Sequence, residues 1–120
     1  MSVLALRGAI TCEKNTRLEI DRQTQRLLRE MLARNDLSHD DIISVIFTAT
    51  DDLTACFPAA AARAMGLGDV PLLCARELDV DGGMPRTIRV LMHVETDRDR
   101  RDLHHVYLDD ARSLRDDLPE

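Results

Sequence analysis

The chain has 120 residues, 44% of them hydrophobic, which suffices for one compact domain and leaves no room for a second. Its net charge of −6 disfavours contact with a phosphate backbone, and its few aromatic residues, Phe47, Phe57 and Tyr107, offer little stacking surface for bases. The composition therefore argues against nucleic-acid binding.

The cysteines and the apolar segments indicate the compartment. Cys12, Cys56 and Cys74 are odd in number and widely spaced, which fits free thiols in a reducing cytoplasm better than a disulfide framework. No apolar run approaches the roughly 20 residues of a membrane-spanning helix, and the first residues lack the composition of a signal peptide. We expect a soluble, cytoplasmic protein without membrane contact.

The first half of the chain predicts a strand, a helix and a second strand. Val3 to Ile10 has the composition of a strand, and a capping box formed by Thr16 and Glu19 then begins a helix. Apolar residues recur at helical spacing from there until Asn35, a suitable C-terminal cap. The β-branched, apolar run from Ile42 to Thr50 predicts a buried strand.

The second half predicts a short helix and three more strands. Pro58 begins a helix that continues to Met65, where Gly66 and Gly68 end it. Further strands are predicted over Val70–Ala75, Thr87–Thr96 and His104–Leu108, followed by a polar tail over 109–120 that we expect to be mobile. The order β-α-β-α-β-β-β predicts a single α+β or α/β domain over residues 1–120, with a mixed sheet and helices on one face.

Arginines lie on two predicted strands, at positions where burying an apolar residue would cost less free energy. In the fourth strand, apolar residues alternate from Ile88 onwards, which puts Arg89 on the opposite face. Arg7 has a similar position in the first strand. A guanidinium in this setting must pair with an acid or reach water, and a salt bridge explains either arginine alone. Both together, with Glu77 after a third strand, favour an anion-binding site.

Other candidate residues give weaker evidence of a functional site when each is taken alone. A small buried cysteine such as Cys74 is common core material, and a lone tyrosine such as Tyr107 usually packs. His104 and His105 are adjacent on a strand, so they point to opposite faces and cannot bind one metal ion. The sequence has no Ser-His-Asp signature, phosphate-binding loop or dinucleotide fingerprint. Arginines, a carboxylate, a thiol and a phenol suggest a receptor for a small polyanion with a hydroxyl, without a metal.

Several segments spread over nearly the whole chain match one known family in order. They are Leu6–Thr11, Thr48–Leu53, Phe57–Ala59 with Arg63, Val70–Pro71 through Cys74 and Glu77, Asp79–Val80 with Gly82–Gly83, Ile88–Val90, His105–Leu108, and Leu114–Arg115 with Asp117–Leu118. These segments resemble the small monofunctional chorismate mutases of the trimeric bacterial class. The resemblance implies a homotrimeric pseudo-α/β barrel that rearranges chorismate to prephenate, in phenylalanine and tyrosine biosynthesis, at sites between neighbouring subunits.

The resemblance also implies roles for individual residues. The catalytic set that it implies is Arg89, Glu77, Arg7, Tyr107 and Cys74. The substrate-binding set that it implies is Phe57, Ala59, Arg63, Leu73, Leu114 and Arg115. Many relatives carry a lysine directly after the alanine at 59, and this chain has Ala60 there, so one cationic contact near the entrance is expected to be missing.

The chemistry that the resemblance implies needs no cofactor. Chorismate rearranges through a cyclic, unimolecular transition state, so neither a nucleophile nor a metal takes part. Two alternatives come from other classes: a trimeric small-molecule-binding protein without catalysis, and a RidA-like imine deaminase, whose family has a similar trimeric fold and also uses a strand arginine. The retention of Arg7, Glu77, Arg89 and Tyr107 together argues against both.

Overall fold

A computed structural model of the protein describes residues 1–115, the side chain of Arg115 excepted, and its elements follow the predicted order. The strands are β1 (Ser2–Thr11), β2 (Ile42–Ala49), β3 (Leu72–Arg76), β4 (Thr87–Thr96) and β5 (Val106–Tyr107). The helices are α1 (Arg17–Arg34) and α2 (Pro58–Ala62). Within these residues, neither helix combines the length and apolar character needed to cross a membrane.

The strands form one mixed sheet in the order β3-β2-β4-β1-β5, which confirms the predicted fold class. The central strand β4 is antiparallel to both β1 and β2. The outer strands are parallel to their neighbours, β3 to β2 and β5 to β1. Strands that are far apart in the chain are therefore neighbours in the sheet, so residues distant in sequence lie side by side on one of its faces.

The two faces of the sheet differ in their covering. Alternate residues of β4, from Ile88 to Val94, are buried in the core, as the alternation predicts. On β1, Gly8 faces Leu27 and Met31 of α1, which identifies the covered face. The intervening residues, Arg7 of β1 and Arg89 of β4 among them, lie on the other face, which we call the open face.

Both ends of α1 are capped by side chains. Thr16 Oγ1 accepts a hydrogen bond from the Glu19 N–H at 3.1 Å, as the sequence predicts. At the other end, the Asn35 Nδ2 donates to the carbonyl oxygens of Met31 and His104, both at 2.8 Å. Asn35 Oδ1 accepts from the His104 N–H at 2.6 Å. This cap therefore also fixes the segment that leads into β5.

Some boundaries differ from the sequence predictions. The α-helix α2 ends at Ala62 and continues as a π-helical turn over Arg63–Leu67, in which Gly66 has φ 99°. The strand β5 is shorter than predicted, because only two of its residues pair with β1. The first part of the predicted polar tail forms a 3-10 helix over Asp109–Arg115. The rest of that tail, 116–120, lies outside the described residues.

The packing of α1 on β1 yields a stability prediction. A Cβ at position 8 would lie 2.5 Å from Met31 Sδ and 3.2 Å from Leu27 Cδ1. We expect Gly8→Ala to lower the free energy of unfolding by about 1–3 kcal/mol, because overpacking displaces these side chains. Urea titration measures the change. Gly68→Ala is the matched control, since a Cβ there has no neighbour within 4 Å. Equal stability of Gly8→Ala and wild type would contradict this packing.

Candidate functional site

Arg89 lies on the open face of the central strand β4, close to the end of the sheet at which β1 and β2 finish. Its cross-strand neighbours are Ala9 on β1 and Thr48 on β2. Its side chain is 44% exposed, and its Nε lies 2.9 Å from Glu77 Oε1. The salt bridge that the sequence offers as one explanation of a strand arginine is therefore present. A guanidinium has five N–H donors, so this contact through Nε leaves others for a ligand.

Several donors hold the Glu77 carboxylate in place. Oε1 accepts a hydrogen bond from Thr48 Oγ1 at 2.9 Å and forms the ion pair with Arg89, and Oε2 accepts a hydrogen bond from the Leu78 N–H at 3.1 Å. The Glu77 N–H donates to the Ala49 carbonyl oxygen at 3.0 Å, which extends the pairing of β3 with β2 by one residue. Such a carboxylate keeps lone pairs for one more donor while its orientation stays fixed.

A cavity of about 290 Å³ opens beside this ion pair and brings four predicted site residues together. They are Arg7, Glu77, Arg89 and Tyr107. Tyr107 is buried and pairs in register with Ala9, so β5 places its phenol next to β1. The backbone N–H of Arg7 donates to His105 Nδ1 at 2.9 Å, which holds the same two strands together. We call this the Arg89 cavity.

A second cavity, of about 730 Å³, holds two other predicted residues, Cys74 and Phe57. We call it the Phe57 cavity. Its remaining lining residues are Arg17, Ala49, Thr50, Asp51, Leu53, Thr54, Ala55, Cys56, Pro58, Ala60, Ala75 and Arg76. None of them lines the Arg89 cavity, and Phe57 itself is 69% exposed. Within one protomer, therefore, the predicted site residues fall into two groups.

The other predicted contact residues lie around these cavities. Ala59 is buried, and Leu73 is 60% exposed at the edge strand β3. Arg63 is exposed and lines neither cavity. Leu114 packs against the small cluster formed by Ala9, Tyr107 and Ala111. The side chain of Arg115 lies outside the described part of the chain.

Sequence reasoning did not single out Thr48, although the structure makes it a partner of Glu77. The sequence does contain a signal for it, since Thr48 is a polar residue in the largely apolar run of β2, in register with Arg89. A hydroxyl at such a position needs a partner, and a carboxylate supplies one.

Two of the three cysteines are held in the thiol form. Cys12 is 3% exposed, and burial, followed by the nearby Glu19, raises the pKa of its thiol from 9.0 to about 12. Burial, followed by Asp21, also raises the pKa of Cys56. Neither thiol is therefore a nucleophile at neutral pH, because the thiolate is the reactive form. Among residues 1–115, no three His, Cys, Asp or Glu side chains are grouped so that they could hold a metal ion.

The raised pKa of Cys12 predicts an alkaline loss of stability. Between pH 9 and about 12 the unfolded thiol loses its proton while the folded one keeps it, so the free energy of unfolding falls as the pH rises. The contribution of Cys12 to this slope is at most about 1.4 kcal/mol per pH unit. Urea titrations from about pH 8 to 10.5 should show a shallower slope for Cys12→Val than for wild type. Identical slopes would mean that this thiol ionises equally well in both states.

Comparison with known proteins matches nearly the whole chain. The sequence model of the family described as chorismate mutase type I matches residues 3–118. The chorismate mutase AroH of Thermus thermophilus is 49% identical over 117 residues, 97% of this chain and 96% of that protein. The chorismate mutase AroH of Bacillus subtilis (strain 168) is 40% identical over 119 residues, 98% of this chain and 94% of that protein. Among solved structures, a chorismate mutase from Clostridium thermocellum superposes with a TM-score of 0.90 at 53% identity, covering 92% of this chain and 98% of that one.

Proposed function

We propose that this chain, which belongs to the chorismate mutase type I family, uses the Arg89 cavity as the centre of its active site. The enzyme is an isomerase that converts chorismate to prephenate in aromatic amino-acid biosynthesis. Membership of this family argues against the two alternative functions, a RidA-like imine deaminase and a non-catalytic binding protein. The observation that carries the proposal for the site is the ion pair of Arg89 and Glu77 at 2.9 Å on the open face.

Arg89 acts on the charge that develops during the reaction. In the rearrangement the C–O bond breaks ahead of C–C bond formation, which leaves negative charge on the ether oxygen and positive charge on the ring. A guanidinium N–H directed at that oxygen binds the transition state more tightly than the substrate, and only such differential binding accelerates the step. Glu77 fixes the guanidinium through Nε, so little reorganisation is needed during the reaction.

Glu77 has a second role toward the ring. Its carboxylate accepts a hydrogen bond from the ring hydroxyl and opposes the positive charge that develops on the ring. Thr48 and the Leu78 N–H set the direction of the carboxylate for both tasks. Because Arg89 neutralises the negative charge of Glu77, the dianionic substrate meets a nearly neutral ion pair rather than an unpaired carboxylate that would repel it.

Arg7 and Tyr107 bind the carboxylate of the enolpyruvyl side chain. They lie on neighbouring strands and line the same cavity as Arg89, which supports a joint role. Holding this carboxylate folds the flexible ether over the ring, so that the two carbons that bond are already close. A millionfold acceleration needs about 8 kcal/mol, and one preorganised cation supplies about 3–4 kcal/mol of it, with orientation supplying the rest.

We further propose a homotrimer with each site shared by two subunits. Cys74 and Phe57 line a cavity that has no residue in common with the Arg89 cavity, so one protomer does not bring all the predicted groups to one substrate. The Phe57 cavity of a neighbouring subunit supplies the apolar wall and the thiol. Apolar side chains such as Leu73 and Val3 are exposed in the protomer, and contact with a second copy of the chain would bury them.

We also propose a cytoplasmic location. Cys12, Cys56 and Cys74 are free thiols in the structure, which suits a reducing compartment. Fractionation of the native host cells, with the enzyme followed by antibody, tests this location directly.

The proposed active site is tested by Arg89→Lys. Turnover is followed as the decay of chorismate absorbance in the ultraviolet, with no added metal or cofactor. We expect the turnover number to fall at least about a hundredfold, because the single ammonium group of a lysine cannot contact both Glu77 and the ether oxygen in the geometry of the guanidinium. Arg101→Lys is the control, since Arg101 is exposed and pairs only locally with Asp99. Near wild-type turnover of Arg89→Lys would remove this residue from the mechanism.

The shared site is tested by mixing two inactive variants. Arg89→Ala disables one cavity and Phe57→Glu the other, so each homotrimer is inactive. After joint refolding of equal amounts, about a quarter of all sites, or about a third of those in mixed trimers, combine two intact halves and regain turnover. A mixture that stays as inactive as its components would place the whole site within one protomer.

A further inference from the structure

The Phe57 cavity is lined by two arginines that differ in their partners. Arg76 Nη2 lies 3.6 Å from Asp51 Oδ2, and both residues line the cavity, so their charges offset each other there. Arg17 Nε lies 3.9 Å from Asp21 Oδ2, close to the outer limit of an ion pair, and its side chain is 76% exposed. Asp21 does not line the cavity. Arg17 therefore contributes positive charge to the cavity that no lining carboxylate matches.

The backbone of Arg17 is nevertheless fixed to the cavity wall. Asn15 Oδ1 accepts hydrogen bonds from the N–H groups of Thr54 and Ala55, at 2.9 and 3.0 Å. Asn15 Nδ2 donates to Thr54 Oγ1 at 2.8 Å. Two residues on, the Arg17 carbonyl oxygen accepts a weak bond from Cys56 Sγ at 4.0 Å. The start of α1 is thus anchored beside Phe57, while the guanidinium of Arg17 is largely exposed and only distantly paired with Asp21.

We propose that Arg17 binds the ring carboxylate of chorismate at the mouth of the Phe57 cavity. The inference rests on the proposed function. Chorismate carries two carboxylates, and the Arg89 cavity takes only the one on its side chain. Ala60, on the wall of the same cavity, offers no charge, and Arg63 lies outside that wall. Arg17 fills the cationic role that position 60 leaves vacant.

An exposed cation at a cavity mouth has a characteristic kinetic effect. The ring carboxylate keeps its charge throughout the rearrangement, so Arg17 binds the substrate and the transition state equally. Its loss therefore raises KM and leaves the turnover number unchanged. A solvent-exposed pair changes affinity about fivefold at most, and salt screens it.

The test compares Arg17→Gln with Arg22→Gln in steady-state assays at low ionic strength. Arg22 is an exposed arginine of the same helix that lines neither cavity, so its loss makes the same change in net charge. We expect KM for chorismate to rise about fivefold in Arg17→Gln and to stay at the wild-type value in Arg22→Gln. The difference should shrink at high salt. Adding Ala60→Lys to Arg17→Gln should restore KM, because the charge then returns to the same cavity.

Three other results would contradict the proposal, and each points to a different cause. If KM of Arg17→Gln equals that of Arg22→Gln, Arg17 does not bind the substrate. If the turnover number falls while KM stays constant, or if Ala60→Lys fails to restore an elevated KM, Arg17 acts on the fold rather than on the carboxylate. If the wild-type protein does not consume chorismate, the proposed function fails first, and that result is distinguishable from all of these.

Discussion

The register of β4 between β1 and β2 is the constraint on which the rest of the structure depends. It places Arg89 directly between Ala9, whose small side chain leaves room for the cavity, and Thr48, whose hydroxyl reaches Glu77. A shift of one residue would turn Arg89 into the apolar core under the helices and bring Ile88 or Val90 to the open face. Burial of the alternate residues of β4 in the core therefore fixes the position of the charge as well as the fold.

The same constraint explains why the ion pair can serve a ligand. Arg89 and Glu77 are only partly exposed, at 44% and 23%, so their interaction is stronger than that of a pair in bulk water. The pair is not closed off, since one side faces the Arg89 cavity. A fully buried pair would be costly to desolvate and inaccessible, and a fully exposed one would be weakly oriented. Partial burial gives a fixed direction together with access.

The sequence predicted the sheet and the face on which Arg89 lies because both depend on local alternation. The period of two in β4 places Arg89 opposite the core, and the capping signals at Thr16 and Asn35 mark both ends of α1. The role of Asn35 in holding His104 was beyond sequence reasoning, because it joins residues 69 positions apart. The helix that begins at Pro58 leaves helical geometry at Gly66, as the sequence predicts. The widening of its last turn into a π-turn was not predicted, because it has no simple sequence signal.

Separation of the site residues into two cavities was equally hidden in the sequence. Cys74 and Glu77 are three residues apart, but the strand ends between them, and each lines a different cavity. The resemblance to a family supplied their roles without saying which protomer contributes which group. Arg17 carried no signal at all, since a first-turn arginine on an amphipathic helix resembles an ordinary solvated residue until the cavity beside it is seen.

The proposed mechanism depends on Arg89, which stabilises the ether oxygen in the transition state. A crystal structure with a bicyclic ether dicarboxylate, shaped like the cyclic transition state, tests this most directly. If Arg89 has this role, the ether oxygen lies about 3 Å from a guanidinium nitrogen of Arg89, and the hydroxyl of the analogue donates to Glu77. An analogue bound with its ether oxygen turned away from Arg89, or bound outside the Arg89 cavity, would contradict it.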